Sequence, residues 1–140
     1  MRILALDMGD RRIGVAVSDP TGLIARPLAF ITRKSTPADI QAIAVLAREQ
    51  DVGRIVVGLP LSLDGHLGPQ TEKVRQIATL LATILAIPLD LYDERFSTVT
   101  AREYRLESGA RKKKRRAPDD SMAAAVILQS YLDRARGQDS

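Results

Sequence analysis

The hydrophobic positions change period along the chain, and these changes divide it into elements. Residues 2–8 (RILALDM) and 13–18 (IGVAVS) are short apolar runs carrying Ile3, Leu4, Leu6, Ile13, Val15 and Val17. Both read as buried strands, and the short Asp10-Arg11-Arg12 link after Gly9 predicts an antiparallel hairpin. Asp19-Pro20-Thr21-Gly22 is a second turn, and a third strand falls within residues 23–32, where Pro27 favours an edge position or a break. The spacing then becomes helical. Ser35 or Thr36 caps a helix with Pro37 in its first turn and Ile40, Ile43, Ala44, Leu46 and Ala47 at core-facing intervals. Residues 54–59 (RIVVGL) form a fourth, fully buried strand, and a loop with Pro60, Asp64, Gly65 and Gly68 follows. A second long helix over 69–86 presents Val74, Ile77, Ala78, Leu81, Ile84 and Leu85 on one face. Pro88 ends it, and residues 89–93 (LDLYD) form a fifth strand. Ser97 or Thr98 caps a third helix at about 99–107. Residues 108–118 are a loop by composition. The last helix starts near Asp119 and carries Ala123, Ala124, Ile127, Leu128, Tyr131 and Leu132, with a polar, frayed tail over 136–140. The order βββαβαβα predicts an α/β fold: one five-stranded mixed sheet, part antiparallel and part joined by right-handed crossovers, with helices on both faces.

Composition narrows the chemistry. A chain of 140 residues is expected to form one domain, 1–140, and its 45% hydrophobic and 27% charged residues fit a soluble globular protein. With no Cys, disulfides, a thiol nucleophile and Cys-ligated metal centres are excluded. Asp7 interrupts any signal-peptide core, and the apolar stretch 77–91 is broken by Thr79, Thr83, Pro88 and Asp90. A cytoplasmic protein without membrane contact is expected. The single histidine, His66, sits in a loop and is assigned no role. The five Tyr and Phe residues are scattered, which predicts core and helix-face positions rather than a base-stacking platform.

The net charge of +4 (21 Lys and Arg against 17 Asp and Glu) is unevenly placed. Arg111, Lys112, Lys113, Lys114, Arg115 and Arg116 form one run, and the rest of the chain holds 15 basic against 17 acidic residues, a balance of −2. The chain therefore reads as a slightly acidic domain with one cationic arm. Such a run is either a solvated segment or a salt-sensitive, sequence-independent phosphate-binding arm.

Candidate chemistry lies in the acids. Asp7 ends the first strand, Glu94 follows the fifth, and Asp119 and Asp120 open the last helix. Ligand sites of open α/β sheets form beyond strand ends, so one rim can gather these groups. Clustered carboxylates repel, and either a proton or a hard divalent cation relieves the repulsion. Each acid also has a plain structural explanation: Asp7 as a turn residue, Asp119 and Asp120 as helix caps, and Glu94 as a surface partner of Arg95 or Arg102. Neither GxGxxG nor GxxxxGK[ST] is present. The spacing Asp7-x-Gly9-x-x-x-x-Gly14 resembles the first phosphate loop of sugar-kinase and actin-like ATPases, but 140 residues fall short of the two domains those proteins use.

Four segments, in order, resemble the bacterial YqgF family, also called RuvX. They are Leu6-Asp7-Met8-Gly9-Asp10-Arg11-Arg12-Ile13-Gly14-Val15-Ala16-Val17-Ser18-Asp19, then Ile55 to Gly65 (IVVGLPLSLDG), then Asp93-Glu94-Arg95-Phe96-Ser97-Thr98 with Thr100-Ala101, then Asp120-Ser121-x-Ala123-Ala124-x-x-Ile127-Leu128. The resemblance implies a ribonuclease H-like fold and a nuclease that matures the 5′ end of the small-subunit ribosomal RNA precursor, with wider RNA degradation in addition. Cleavage of four-way DNA junctions is the alternative, and that activity requires a homodimer rather than a monomer. By resemblance, Asp7, Glu94 and Asp120 are the catalytic metal ligands, with Asp119 the neighbouring candidate. They would hold one or two Mg²⁺ or Mn²⁺ ions. Gly9 would let backbone approach phosphate, and Arg12 and Arg95 offer forked guanidinium contacts. Ser97 or Thr98 would place helix N–H groups near phosphate. Arg95 is equally explained by an ion pair with Asp93 or Glu94. A function of another class, a non-catalytic nucleic-acid-binding factor of ribosome assembly, would keep the basic arm and use the acids only for capping.

Overall fold

The computed structural model describes residues 1–61, 68–97 and 120–137, with Asp120 described by its backbone alone. Strand β1 (Arg2–Met8) is buried on both faces at Leu4, Ala5 and Leu6, so it lies at the centre of the sheet. β2 (Arg12–Ser18) pairs antiparallel with β1, and β3 (Ala25–Thr32) pairs antiparallel with β2. β4 (Val52–Leu59) and β5 (Leu89–Asp93) add in parallel on the other side, giving the order β3-β2-β1-β4-β5. β3 is an edge strand, as Pro27 predicted, and a register shift between Val15 and Ala16 lies beside that proline.

The two faces are packed differently. Leu4, Leu6, Ile13, Val15, Val17, Ile55 and Val57 meet α1 (Thr36–Glu49) and α2 (Pro69–Leu85) through Ile40, Ile43, Val74 and Leu81. The Ser35 side chain caps α1 by accepting from Ala38 N at 3.2 Å, and Pro37 occupies the first turn. The opposite face uses small residues. Ala5, Ala16 and Ala25 face Ala124 and Ala125 of α3 (Asp120–Ala135), which lets that helix sit close to the sheet. Helices on both faces and the mixed five-stranded sheet follow the expected order. The proposed third helix, the loop 108–118 with its six cations, Thr98, Asp119, His66 and residues 138–140 lie outside the described residues.

Contacts along α3 orient it. Gln129 accepts from Ala25 N at 2.9 Å and donates to Leu23 O at 3.1 Å, at the end of the sheet where β1 begins. The start of α3, and with it the backbone of Asp120, therefore points toward the rim where β1, β4 and β5 end. Among the described residues, no helix is long and apolar enough to cross a membrane.

Candidate active site

Parallel pairing sets the C-terminal ends of β1, β4 and β5 side by side. Leu6 is level with Val57, Gly58 with Tyr92, and Leu59 with Asp93. Asp7 follows Leu6 at the end of the β1–β4 pairing, and the chain leaves β5 as a 3₁₀ turn, Glu94–Ser97, on the same rim. The turn folds Glu94 back over β4. A Cβ built on Gly58 would lie 3.0 Å from Glu94 Oε2, 3.2 Å from Glu94 Cγ and 2.8 Å from Ile127 Cδ1. The missing side chain at Gly58 is therefore the seat that Glu94 occupies. A glycine inside an otherwise β-branched strand (IVVGL) signals such a close approach, and that signal went unread in the sequence.

Glu94 is mostly buried, and its carboxyl is pushed up to about 7, first by burial and then by the charges of Asp7 and Asp93. Asp7 and Glu94 are thus brought together as the strand ends predicted. The expectation that Glu94 is a surface partner of Arg95 or Arg102 is corrected for Arg95, whose guanidinium pairs instead with Asp93. Its Nε lies 3.0 Å from both Asp93 carboxylate oxygens and its Nη2 lies 2.5 Å from Oδ2. That contact holds the Asp93 carboxyl below its usual range. The ion pair expected as one reading of Arg95 is present, with Asp93 as its partner.

The turn that carries Glu94 is fixed from behind. Ser97 is buried, and its hydroxyl, expected to cap a helix near phosphate, donates to the Glu94 carbonyl at 2.7 Å. Ser130 of α3 donates to Phe96 O at 3.2 Å and shares a 2.6 Å hydrogen bond with the buried Tyr92 hydroxyl. Arg134 lies over the Phe96 ring at 3.9 Å.

On the other side of Asp7, the β1–β2 turn is closed by Gly9 N donating to Arg12 O at 3.0 Å. A Cβ at Gly9 would come within 2.6 Å of that carbonyl, so only glycine fits there. The Arg33 guanidinium donates to Gly9 O at 3.0 Å and pairs with the buried Asp39 at 3.3 Å. Arg12 is exposed, with its guanidinium 5.2 Å from the Phe30 ring centroid. Phe30 and Phe96 are half exposed, against the expectation of core positions. Alternation along β3 and the shortness of the 3₁₀ turn place them outside the two packed cores.

The donor set suits a hard divalent cation. Asp7 and Glu94 are oxygen ligands forced together, and the burial that penalises the Glu94 charge is relieved when a cation neutralises it. Asp120 begins the helix that points at this rim, seven residues, or about two turns, before Ile127, which touches the Glu94 seat. Among residues with described side chains, no group of three or more potential ligands is gathered.

A family model described as "RuvX: Holliday junction resolvase" matches residues 1–134. The chain belongs to the RuvX family. A RuvX relative from Pelotomaculum thermopropionicum, named "Putative pre-16S rRNA nuclease", is 46% identical over 134 residues, covering 95% of this chain and 87% of its own. A relative of the same name from Myxococcus xanthus is 44% identical over 140 residues, covering 100% of this chain and 93% of its own. Among solved structures, Thermus thermophilus RuvC in complex with a Holliday junction substrate superposes with a TM-score of 0.71 at 15% identity, covering 100% of this chain and 98% of that one. The fowlpox virus resolvase bound to junction DNA gives 0.60 at 12% identity over 96% of this chain and 99% of that one. The RuvX chain therefore has the ribonuclease H-like fold of RuvC.

Proposed function

We propose that this RuvX-family chain is a divalent-metal-dependent nuclease whose principal substrate is RNA, cut during 5′ maturation of the pre-16S ribosomal precursor in the cytoplasm. The convergence of Asp7 and Glu94 on one rim, at the cost of ionising Glu94, carries the reading. Such a cost is retained where the acids have work to do as ligands. Asp7, Glu94 and Asp120 would hold one or two Mg²⁺ or Mn²⁺ ions. Bound there, the metal supplies activation of a water for in-line attack at phosphorus and stabilisation of the leaving oxygen. Gly9 keeps the β1–β2 turn tight beside Asp7, Arg12 supplies a forked cation, and the 111–116 arm holds flanking phosphates. The RNA assignment follows the names of relatives at 46% and 44% identity.

A second reading, cleavage of four-way DNA junctions by a homodimer, is favoured by the family description and by the likeness to RuvC. The test offers purified protein a labelled ribosomal precursor, poly(A) RNA and a four-way junction side by side, with and without Mn²⁺. Wild type is expected to cut the precursor, and Asp7→Asn to leave it intact. If wild type cuts none of the three, the protein is instead a non-catalytic binding factor, and if Asp7→Asn cuts equally well, the metal-nuclease reading built on Asp7 fails. Preferential junction cleavage would move the assignment to the second reading.

A further inference from the structure

The rim continues on the far side of Asp7 from Glu94. Antiparallel pairing sets Gly14 opposite Asp7 and Phe30 opposite Gly14. Directly paired residues of neighbouring strands project to the same face, so Asp7, Gly14 and Phe30 form one row. Gly14 contributes no side chain to it, and about two strand spacings, roughly 10 Å, separate the backbones of Asp7 and Phe30. Phe30 is 51% exposed, with the Arg12 guanidinium over its ring.

The two connections that adjoin this ring are rich in cations. Arg33 N donates to Arg11 O at 2.8 Å and its guanidinium donates to Gly9 O, which joins the β1–β2 turn to the β3–α1 connection. Arg11, Arg12 and Lys34 are exposed, and Asp10 is the single acid in the two connections. Protection of the β3 edge against strand pairing explains the cations, but it does not explain an aromatic ring left half in water beside them. A half-exposed ring with a guanidinium over it and further cations in the adjoining connections is a combination that stacks an unpaired base and neutralises its phosphates.

We propose that Phe30, with Arg12 over its ring, is a stacking platform for an unpaired base flanking the scissile phosphate at the Asp7 and Glu94 site. The proposal rests on the nuclease reading for the phosphate's position. It makes the engaged segment single-stranded, because a base inside a duplex offers no free face.

The test uses full-length Asp7→Asn protein, so that substrate persists, and a short single-stranded RNA carrying one 2-aminopurine. Fluorescence reads stacking, and its titration reads affinity. Adding Phe30→Ala or Phe30→Leu is expected to weaken binding roughly tenfold and to remove the stacking change, while Phe30→Trp keeps both. Phe30→Leu retains apolar area on the edge strand, so its loss isolates the aromatic face. A duplex of the same sequence is expected to bind the parent and Phe30→Leu alike. Equal affinity and equal fluorescence change for Phe30→Leu and its parent on the single strand would overturn the proposal, as would an equal loss on the duplex. The nuclease reading stands or falls separately, on cleavage by wild type against Asp7→Asn.

Discussion

Replacing Glu94 by Gln removes a charge that the folded protein holds at a disadvantage. The Glu94 carboxyl is raised from 4.5 to about 7, by burial first and by Asp7 and Asp93 next. The folded state therefore binds this proton more tightly than the unfolded chain does. The group's contribution to stability is fully present below pH 4.5 and is lost as pH rises through about 7. A shift of this size corresponds to about 3 kcal/mol. Solvent reaches part of the side chain, so screening reduces the contribution to about 1–2 kcal/mol. In chelator at pH 8, Glu94→Gln is thus expected to be more stable than wild type by that amount, or roughly 3–8 °C in Tm for a chain of this size. At pH 4.5 the two should unfold together. Thermal unfolding followed by circular dichroism across this pH range measures the difference. A variant that is no more stable than wild type at pH 8, or a gap of the same size at every pH, would refute the reasoning. The stabilised variant is also expected to lose cleavage, and Mg²⁺ should raise the Tm of wild type but not that of Glu94→Gln.

Other predictions test the supports of the site. Gly58→Ala puts a methyl group 3.0 Å from Glu94 Oε2 and 2.8 Å from Ile127 Cδ1. It should lower the cleavage rate about a hundredfold by displacing the carboxylate, with an unchanged circular dichroism spectrum. Ser130→Ala leaves the buried Tyr92 hydroxyl without its 2.6 Å partner and releases the Phe96 carbonyl. Urea unfolding should show a loss of about 1–3 kcal/mol. Replacing Arg111 to Arg116 by Gln should weaken RNA binding at low salt. If all six contact phosphate, the slope of log affinity against log salt concentration should become shallower by about 4.

Much of this protein is determined locally. Elements whose periodicity and punctuation agree were legible in the sequence. β1 and β2 have β-branched and leucine cores, α1 has Ser35 and Pro37 at its start, and α2 lies between Pro69 and the segment before Pro88. The meeting of Asp7 and Glu94 was legible as well, because strand ends are where α/β sheets gather such groups. What each acid touches was not legible. Asp93, Glu94 and Arg95 are consecutive, and nothing in their order says that Arg95 turns to Asp93 while Glu94 is carried over Gly58. That choice depends on the parallel register of β4 with β5 and on the room left where β4 lacks a side chain. The same holds for Phe30, 23 positions after Asp7 in the chain yet in one row with it, because two antiparallel pairings fold the intervening turns away. Periodicity reports which side of its own element a residue faces. Only the register between elements decides which residues from distant segments meet, and the perturbed Glu94 carboxyl exists because three such segments meet at one rim.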